Sequence, residues 1–551
     1  MFCYQCEQTA GNKGCTITGI CGKNPETAAL QDLLVDVTKG IAKYAHRAKE
    51  LGLRENRIDE FAEEALFATV TNVNFDPDRL QSIIQEADSV RNEARALYLK
   101  ACEQAGQEPE NVNGSATREL EKDLDGLLRQ GQLVSIRERL EMLGDDITGL
   151  QELLIYGVKG MAAYAHHARV LGKNNPEIDA FIHEALDFVT RPGQTVEALF
   201  EKNMKCGEMT VAVLALLDEA NTSTYGTPVP TEVMWGHVPG KSILVSGHDL
   251  KDLEKLLEQT QNKGINVYTH GEMLPAHSYP SLNKYAHFVG HYGGAWMRQR
   301  TEFSQFPGAV LMTTNCIQEP REDYKGRIFT SGLVAWPGVE HCSDGYFSRV
   351  IEAALAAPGF EDASVDRTLT VGFGHVTVLG IADKVIDAVK GGDIRHFFLI
   401  GGCDGAEPGR NYYTDLARAL PDDTVCLTLG CGKFRILDMD MGDIGGIPRR
   451  LDMGQCNDAY SAVVVAQTLA KAFGTDVNGL PLSLVISWFE QKAVCILLAL
   501  LHLGVKNIRL GPALPAFVSP SVLGVLVDKF GIKAIGEVEQ DLEDMLSRPA
   551  A

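Results

Sequence analysis

One segment of the chain repeats, and the repeat constrains how the first two-fifths can fold. Residues 31–46 align without gaps to residues 151–166, an offset of 120. The match continues through Leu51-Gly52 with Leu171-Gly172, Ile58-Asp59 with Ile178-Asp179 and Phe61 with Phe181, ending on Glu64-Ala65-Leu66 with Glu184-Ala185-Leu186. Apolar residues recur at three and four in both copies, as a helix that buries one face requires. Two copies are too few for a solenoid, so a duplicated helical bundle is expected, with residues 89–129 adding further helix. The repeated His46 and His166 are assigned to packing and helix-surface roles.

After residue 220 short apolar runs alternate with helical stretches, the signature of α/β architecture. Residues 242–246 read as a strand, 250–260 as a helix and 265–268 as the next strand. A second series is expected from about Arg367, with strands at 369–373, 397–401, 424–429 and 482–487, after a linker over 356–366. The resulting division is 1–225 (cysteine loop and duplicated helical bundle), 226–360 (first Rossmann-like α/β domain) and 361–551 (second). A chain of 551 residues exceeds what one core serves, in keeping with several domains.

Ahead of the repeat, Cys3, Cys6, Cys15 and Cys21 crowd into a glycine-rich stretch with spacing Cys-x2-Cys-x8-Cys-x5-Cys. Glycine allows the tight turns that bring four sulfurs to one centre. A second short Cys-x2-Cys pair and paired histidines are both missing, so structural zinc is the weaker reading and a [4Fe-4S] cluster the stronger.

Charge and cysteine usage narrow the partners. A net charge of −22 leaves no basic stripe for nucleic acid. The longest apolar stretch, 493–504, is too short to span a bilayer. The first residues lack the pattern of a signal peptide, so a cytoplasmic protein without membrane insertion is expected. Thirteen cysteines, an odd number, argue for thiolates used as ligands over a disulfide framework.

In open parallel sheets ligands gather beyond the carboxyl ends of strands. His248, Glu272 and Cys316 each follow a strand-like run in the first α/β series, and Cys403, Cys431, Cys456 and Glu490 do so in the second. Each alone reads as a buried thiol, a hydrogen-bonded histidine or a helix cap. Their shared placement points to one mixed centre at a domain interface, thiolates suiting iron-sulfur chemistry and imidazole and carboxylate suiting iron with oxygen or nitrogen ligands. Cys102, Cys206, Cys342, Cys426 and Cys495 lack such partners and are read as structural.

The segments Met1-Phe-Cys-Tyr-Gln-Cys, Ser246-Gly-His-Asp-Leu, Tyr268-Thr-His-Gly-Glu-Met-Leu-Pro, Thr313-Thr-Asn-Cys, Gly401-Gly-Cys-Asp-Gly, Gly430-Cys-Gly-Lys, Gly445-Gly-Ile-Pro-Arg, Gly454-Gln-Cys-Asn-Asp and Trp488-Phe-Glu-Gln-Lys-Ala together resemble the hybrid-cluster, or prismane, family over the whole length. The resemblance implies a multidomain α plus α/β fold of the carbon monoxide dehydrogenase-like superfamily. It also implies two cofactors: an N-terminal [4Fe-4S] cubane on Cys3, Cys6, Cys15 and Cys21, and a hybrid iron-sulfur-oxygen cluster on His248, Glu272, Cys316, Cys403, Cys431, Cys456 and Glu490. In the family the position of Cys403 can carry a persulfide. The compact N-terminal spacing resembles the form found in strict anaerobes.

The implied activity is a cytoplasmic oxidoreductase acting on a small nitrogen compound, reducing hydroxylamine to ammonia and water or nitric oxide to nitrous oxide, with the cubane relaying electrons. Glu490, Lys492, His248 and Glu272 are the candidate catalytic residues, and Lys492 reads equally as a proton donor or an ion-pair partner. The rival is a nitric oxide sensor that passes nitroso groups to partner thiols; carbon monoxide dehydrogenase activity would require nickel. No Gly-x-Gly-x-x-Gly fingerprint opens a βαβ unit, so a separate electron-donor protein is expected.

Overall fold

The computed structural model describes residues 1–343 and 345–547. Its first part is the duplicated unit. The first copy runs through α1 (Pro25–Glu50), α2 (Asn56–Ala68) and α3 (Pro77–Ala105). After α4 (Leu124–Leu133), the second runs through α5 (Ile136–Val170), α6 (Pro176–Phe188) and α7 (Val196–Tyr225). Asn24 caps α1 by accepting the Thr27 amide and Pro25 occupies the first turn, where its missing N–H costs nothing. Gly52 and Gly172, equivalent in the repeat, follow the ends of α1 and α5 with φ of +89° and +80°; at such angles a Cβ is disfavoured, so the repeat preserves its stop signal.

The two copies are not independent of each other. Each long helix packs on the third helix of its own copy, but each short second helix packs more extensively on the long helix of the other copy, α2 on α5 and α6 on α1. Asp59 and Asp179, the repeated acidic pair, sit at this crossing. Arg54 bonds to both, Arg169 bonds to Glu63 and Asp179, and His183 Nε2 lies 2.9 Å from Asp59. The expected duplicated bundles are present, one core centred on each copy, and they interlock through their second helices: an amphipathic pattern marks which face is buried, not which neighbour buries it.

A repeated glycine marks two close backbone approaches. At Gly40 a Cβ would fall inside the envelope of the Ser115 carbonyl oxygen, and at Gly160 inside that of Gln491, at the start of helix Gln491–His502. Gly160→Ala is expected to lower stability by about 1–3 kcal/mol through overpacking and to displace the Gln491 turn. Gly40→Ala should destabilise comparably while leaving that turn in place. Thermal denaturation and hydrogen exchange over 488–495 check this.

The α/β part holds two sheets. The first comprises β1 (Thr231–His237), β2 (Lys241–Ser246), β3 (Ile265–His270), β4 (Phe288–His291), β5 (Ala309–Met312), β6 (Ile328–Ser331), β7 (Glu340–Cys342) and β8 (Ser364–Val371). Their order is β7-β6-β5-β2-β3-β4-β1-β8, parallel except for the antiparallel β1–β8 pair. The second sheet is wholly parallel, in the order Arg450–Asp452, Thr424–Thr428, His396–Gly402, Leu482–Ser487, Arg509–Gly511, Lys533–Ala534.

β8 corrects a sequence-based expectation. The run beginning near Arg367 does not open the second sheet; it crosses the expected boundary at 360 and returns to edge the first. A period-two apolar pattern is the same for either sheet, so it could not assign the strand. Loops at the carboxyl ends of both sheets meet the long helices, and the candidate residues lie there.

Candidate functional site

The N-terminal loop is closed by reciprocal backbone hydrogen bonds between Cys3 and Cys15, N to O at 3.0 and 2.8 Å. Gly14 passes under Phe2, where a Cβ would lie 2.5 Å from the ring, and Gly19 lies under the Cys21 sulfur. Burial pushes the Cys6 thiol up, and Cys21, Cys3 and Cys15 push it further, as expected where four sulfurs crowd together. The Ala10 amide donates to Cys15 Sγ at 3.4 Å, and Lys23 Nζ lies 4.0 Å from Cys3 Sγ. No disulfide forms among the described residues. Four clustered thiols with an amide and an ammonium aimed at sulfur fit a thiolate-ligated cluster.

The second constellation is built from strand ends. Gly247, at φ +116°, turns the chain after β2 where a Cβ would strike Thr313 and Thr314. His248 follows, with Nδ1 3.0 Å from Thr314 Oγ1 and Nε2 3.3 Å from Glu272 Oε2. Glu272 leaves the end of β3 and accepts the Cys456 amide at 2.9 Å. One ligand atom each of His248, Glu272 and Cys456 lies within 4.8 Å of the others. Gln455 ties the site across the two sheets by donating to the His248 and Glu272 carbonyls.

Cys316, Cys403 and Cys431 share one buried cluster with Cys6, Trp296 and Phe489. Gly430, at φ +69°, brings the Cys431 loop against Gly402, where a Cβ would lie 2.6 Å from its carbonyl oxygen. Cys316 itself has φ +79°, a conformation costly for a non-glycine residue and retained here beside the site. Glu490 caps helix Gln491–His502, accepting the Lys492 amide at 2.8 Å. Asn315 Nδ2 lies 3.4 Å from both Glu490 Oε1 and Cys316 Sγ, while Asn315 Oδ1 accepts from Lys492 Nζ at 2.8 Å.

The electrostatics call for added positive charge. Burial, then the neighbouring carboxylates and thiols, raise Cys403 and Cys431 well above the ordinary thiol range; at Cys316 the same effects outweigh Lys492. Burial also opposes ionisation of Glu272, yet the His248 hydrogen bond and charge, with Lys492 and the Cys456 amide, hold it down to about 2. Burial opposes the charge on Lys492, but Cys456, Glu490, Cys316 and Glu272 raise it overall. One ammonium facing four thiols and two carboxylates leaves the set short of cations, and a bound metal cluster reverses that balance by stabilising the thiolates. The residues present fit such a group.

The sequence reading missed several contributors. Tyr164 donates to Cys456 Sγ at 3.2 Å, whereas its repeat partner Tyr44 packs beside Tyr98. Asn315 stood inside the quoted Thr-Thr-Asn-Cys run, but its bridging role depends on the fold. Arg410, fully buried, bonds to Glu7, Asp404, Ser487 and the Trp488 carbonyl, joining residues next to Cys6, Cys403 and Glu490. The Glu7 amide donates to the Phe489 carbonyl at 3.0 Å, so one backbone hydrogen bond links the two cysteine regions.

His46 and His166 lie away from the constellation, 3.7 Å from Glu50 and 3.9 Å from Glu64 respectively. Cys102, Cys206, Cys342, Cys426 and Cys495 lie in apolar cores.

Two cavities reach the second constellation. One, about 80 Å³ and walled mainly by apolar side chains such as Leu399, Ala466, Ile496 and Leu500, ends on Cys403, Cys456, Glu490 and Lys492. The other, about 10 Å³ and of mixed character, is lined by the polar side chains of Tyr164, His167, Asn221, His248, Asn457 and Lys492 together with leucines and a valine. Lys492 is the residue common to both walls.

Fold and site together define a multidomain protein with buried groups of cysteine, histidine and carboxylate side chains at the junction of a helical domain and two parallel sheets. The chain belongs to the Prismane/CO dehydrogenase family, whose model matches residues 1–543. It is 57% identical over 545 residues to a hydroxylamine reductase of Rhodospirillum rubrum, covering 99% of each chain. It is 54% identical to a hydroxylamine reductase of Zymomonas mobilis, covering the whole of both. Among solved structures, carbon monoxide dehydrogenase IV from Carboxydothermus hydrogenoformans matches with a TM-score of 0.56 at 16% identity, over 97% of this chain and 89% of that one. That likeness is one of fold. Among the described residues no helix is long and apolar enough to cross a membrane.

Proposed function

We propose that this chain is an iron-sulfur oxidoreductase that reduces hydroxylamine, with one [4Fe-4S] cluster on Cys3, Cys6, Cys15 and Cys21 and a hybrid cluster on His248, Glu272, Cys316, Cys403, Cys431, Cys456 and Glu490. The observation that carries the reading is the convergence of His248, Glu272 and Cys456 within 4.8 Å beside the other cysteines, in a chain more than half identical to named hydroxylamine reductases. The reaction breaks the N–O bond; two electrons and two protons yield ammonia and water. A separate donor protein supplies the electrons.

An iron cluster held here supplies Lewis-acid sites and electrons at the N–O bond. The chain's own residues provide the rest. Asn315 fixes Lys492 Nζ at 2.8 Å and holds Glu490 beside Cys316. Lys492, between the two cavities, is placed to take a proton from the side lined by Tyr164 and His248 and deliver it from Nζ to substrate on the other. His248 is oriented by Thr314 so that Nε2 faces the centre.

Reduced holoprotein should form ammonia from hydroxylamine. Lys492→Met and Lys492→Arg should both lower kcat by about 10²–10⁴ with iron content unchanged, because arginine keeps the charge but does not give up its proton. Full activity in Lys492→Arg would assign Lys492 to fixed charge instead.

A second reading, reduction of nitric oxide to nitrous oxide, is favoured by the apolar cavity, which suits an uncharged diatomic better than polar hydroxylamine. Ala466→Phe, which narrows that cavity, should slow nitric oxide turnover at least tenfold more than hydroxylamine turnover. Equal effects would remove the support for this reading. Transfer of nitroso groups to partner thiols without nitrous oxide formation would favour the sensor role.

A further inference from the structure

We propose that the duplicated long helices build a buried electrostatic cavity that sets the reduction potential of the N-terminal centre, an inference resting on the assignment of Cys3, Cys6, Cys15 and Cys21 to a [4Fe-4S] cluster. A cavity of about 30 Å³ lies under the cysteine loop. From α1 it is lined by Asp32, Val35 and Lys39, and from α5 by Glu152, Ile155 and Lys159. These are the same three positions of the repeat, each pair offset by 120 residues. In each helix the carboxylate and the lysine are seven residues apart, two turns, and so share a face. The duplication therefore presents one carboxylate and one ammonium from each copy to a common space. The loop adds Cys3 and Lys23, and Arg139 adds a further cation.

Four cations thus face two carboxylates. Lys23, Lys39 and Lys159 are all buried, at 5%, 9% and 5% exposure. Buried cations in excess are costly unless an anion compensates them, and among the cavity's lining groups the remaining anionic candidate is the thiolate of Cys3. Lys23 Nζ is 4.0 Å from that sulfur; burial, with Lys23 beside it, pulls the Lys159 ammonium down to about 8, and Glu152, Asp32 and Cys3 oppose that loss. A cluster with four thiolates is anionic, and each electron it accepts adds one negative charge beside these lysines. The excess favours the reduced form; deleting a cation should weaken reduction, and deleting a carboxylate should strengthen it.

The test is an EPR-monitored redox titration of the N-terminal cluster in the holoprotein. Lys159→Met and Lys39→Met should each lower the reduction equilibrium constant about tenfold, a 59 mV fall in a one-electron midpoint. Lys159→Arg should keep the original midpoint, and Glu152→Gln should move it the opposite way. Opposite signs for lysine and glutamate variants are what a packing role would not produce. Unchanged midpoints in both lysine variants, or same-sign movements in all variants, would overturn the cavity's role while leaving the relay intact. Absence of a [4Fe-4S] signal from the unsubstituted holoprotein would overturn both.

Discussion

Cys456→Ala is expected to reduce hydroxylamine turnover at least 10³-fold while the N-terminal cluster's EPR signal persists. Cys456 is the point where three parts of the chain meet: its sulfur accepts Tyr164 from α5 and its amide binds Glu272 from the end of β3, while Gln455 beside it holds the carbonyls of His248 and Glu272. Alanine keeps the amide contact and removes the sulfur proposed as a ligand, so the loop stays in place while the proposed centre would lose one of its holding groups. The buried Tyr164 hydroxyl then lacks its acceptor, costing about 1–3 kcal/mol, small enough for the chain to remain folded. Iron per chain, measured after anaerobic reconstitution, should fall while the cubane signal per chain holds. Turnover within tenfold of the unsubstituted protein would show that the chemistry occurs elsewhere.

Arg410→Met should give the largest loss of stability, about 3–5 kcal/mol, because it leaves the buried Glu7 carboxylate without its cation and strips one of two from Asp404. Arg410 is 1% exposed and pairs with Glu7 and Asp404, while Arg435 reaches Asp404 from the other side. Removing Arg410 leaves Glu7 without that pairing, and burial already pushes the Glu7 carboxyl up despite it. The damage should concentrate where the N-terminal loop docks on the second sheet, visible as a lower urea midpoint and faster hydrogen exchange at residues 3–9. Arg410→Lys should recover only part, since a single ammonium does not reproduce a planar fork that bonds Glu7, Asp404, Ser487 and the Trp488 carbonyl together. An unfolding free energy within about 1 kcal/mol of the unsubstituted protein's would contradict this account.

Much of this architecture was legible in the sequence because it rests on local patterns. The repeat gave the long helices, and the apolar runs gave the central strands of both sheets. The placement of His248, Glu272 and Cys456 together follows from strand ends meeting. What could not be read depends on long-range choice. β8 joins the first sheet because an edge beside β1 was open, which no local pattern records. Asn315, Tyr164 and Arg410 become partners of the site only when segments hundreds of residues apart are packed, so each looks ordinary in the linear chain. Asp32, Lys39, Glu152 and Lys159 lay in plain sight in the aligned repeat, but only the interlocked helices show that they face one cavity.

The docking of the first residues on the last part of the chain has a consequence for biosynthesis. Gln491 donates to the Gln5 carbonyl at 2.6 Å across 486 positions of sequence, next to the Glu7–Phe489 contact. The four cysteines of the loop leave the ribosome more than 460 residues ahead of the surface that holds them. A nascent chain therefore carries an exposed, unsupported cysteine loop through most of translation. Insertion of the iron proposed for this loop should follow synthesis of residues 488–491, and truncated chains ending before residue 488 should fail to retain that iron even with all four cysteines present.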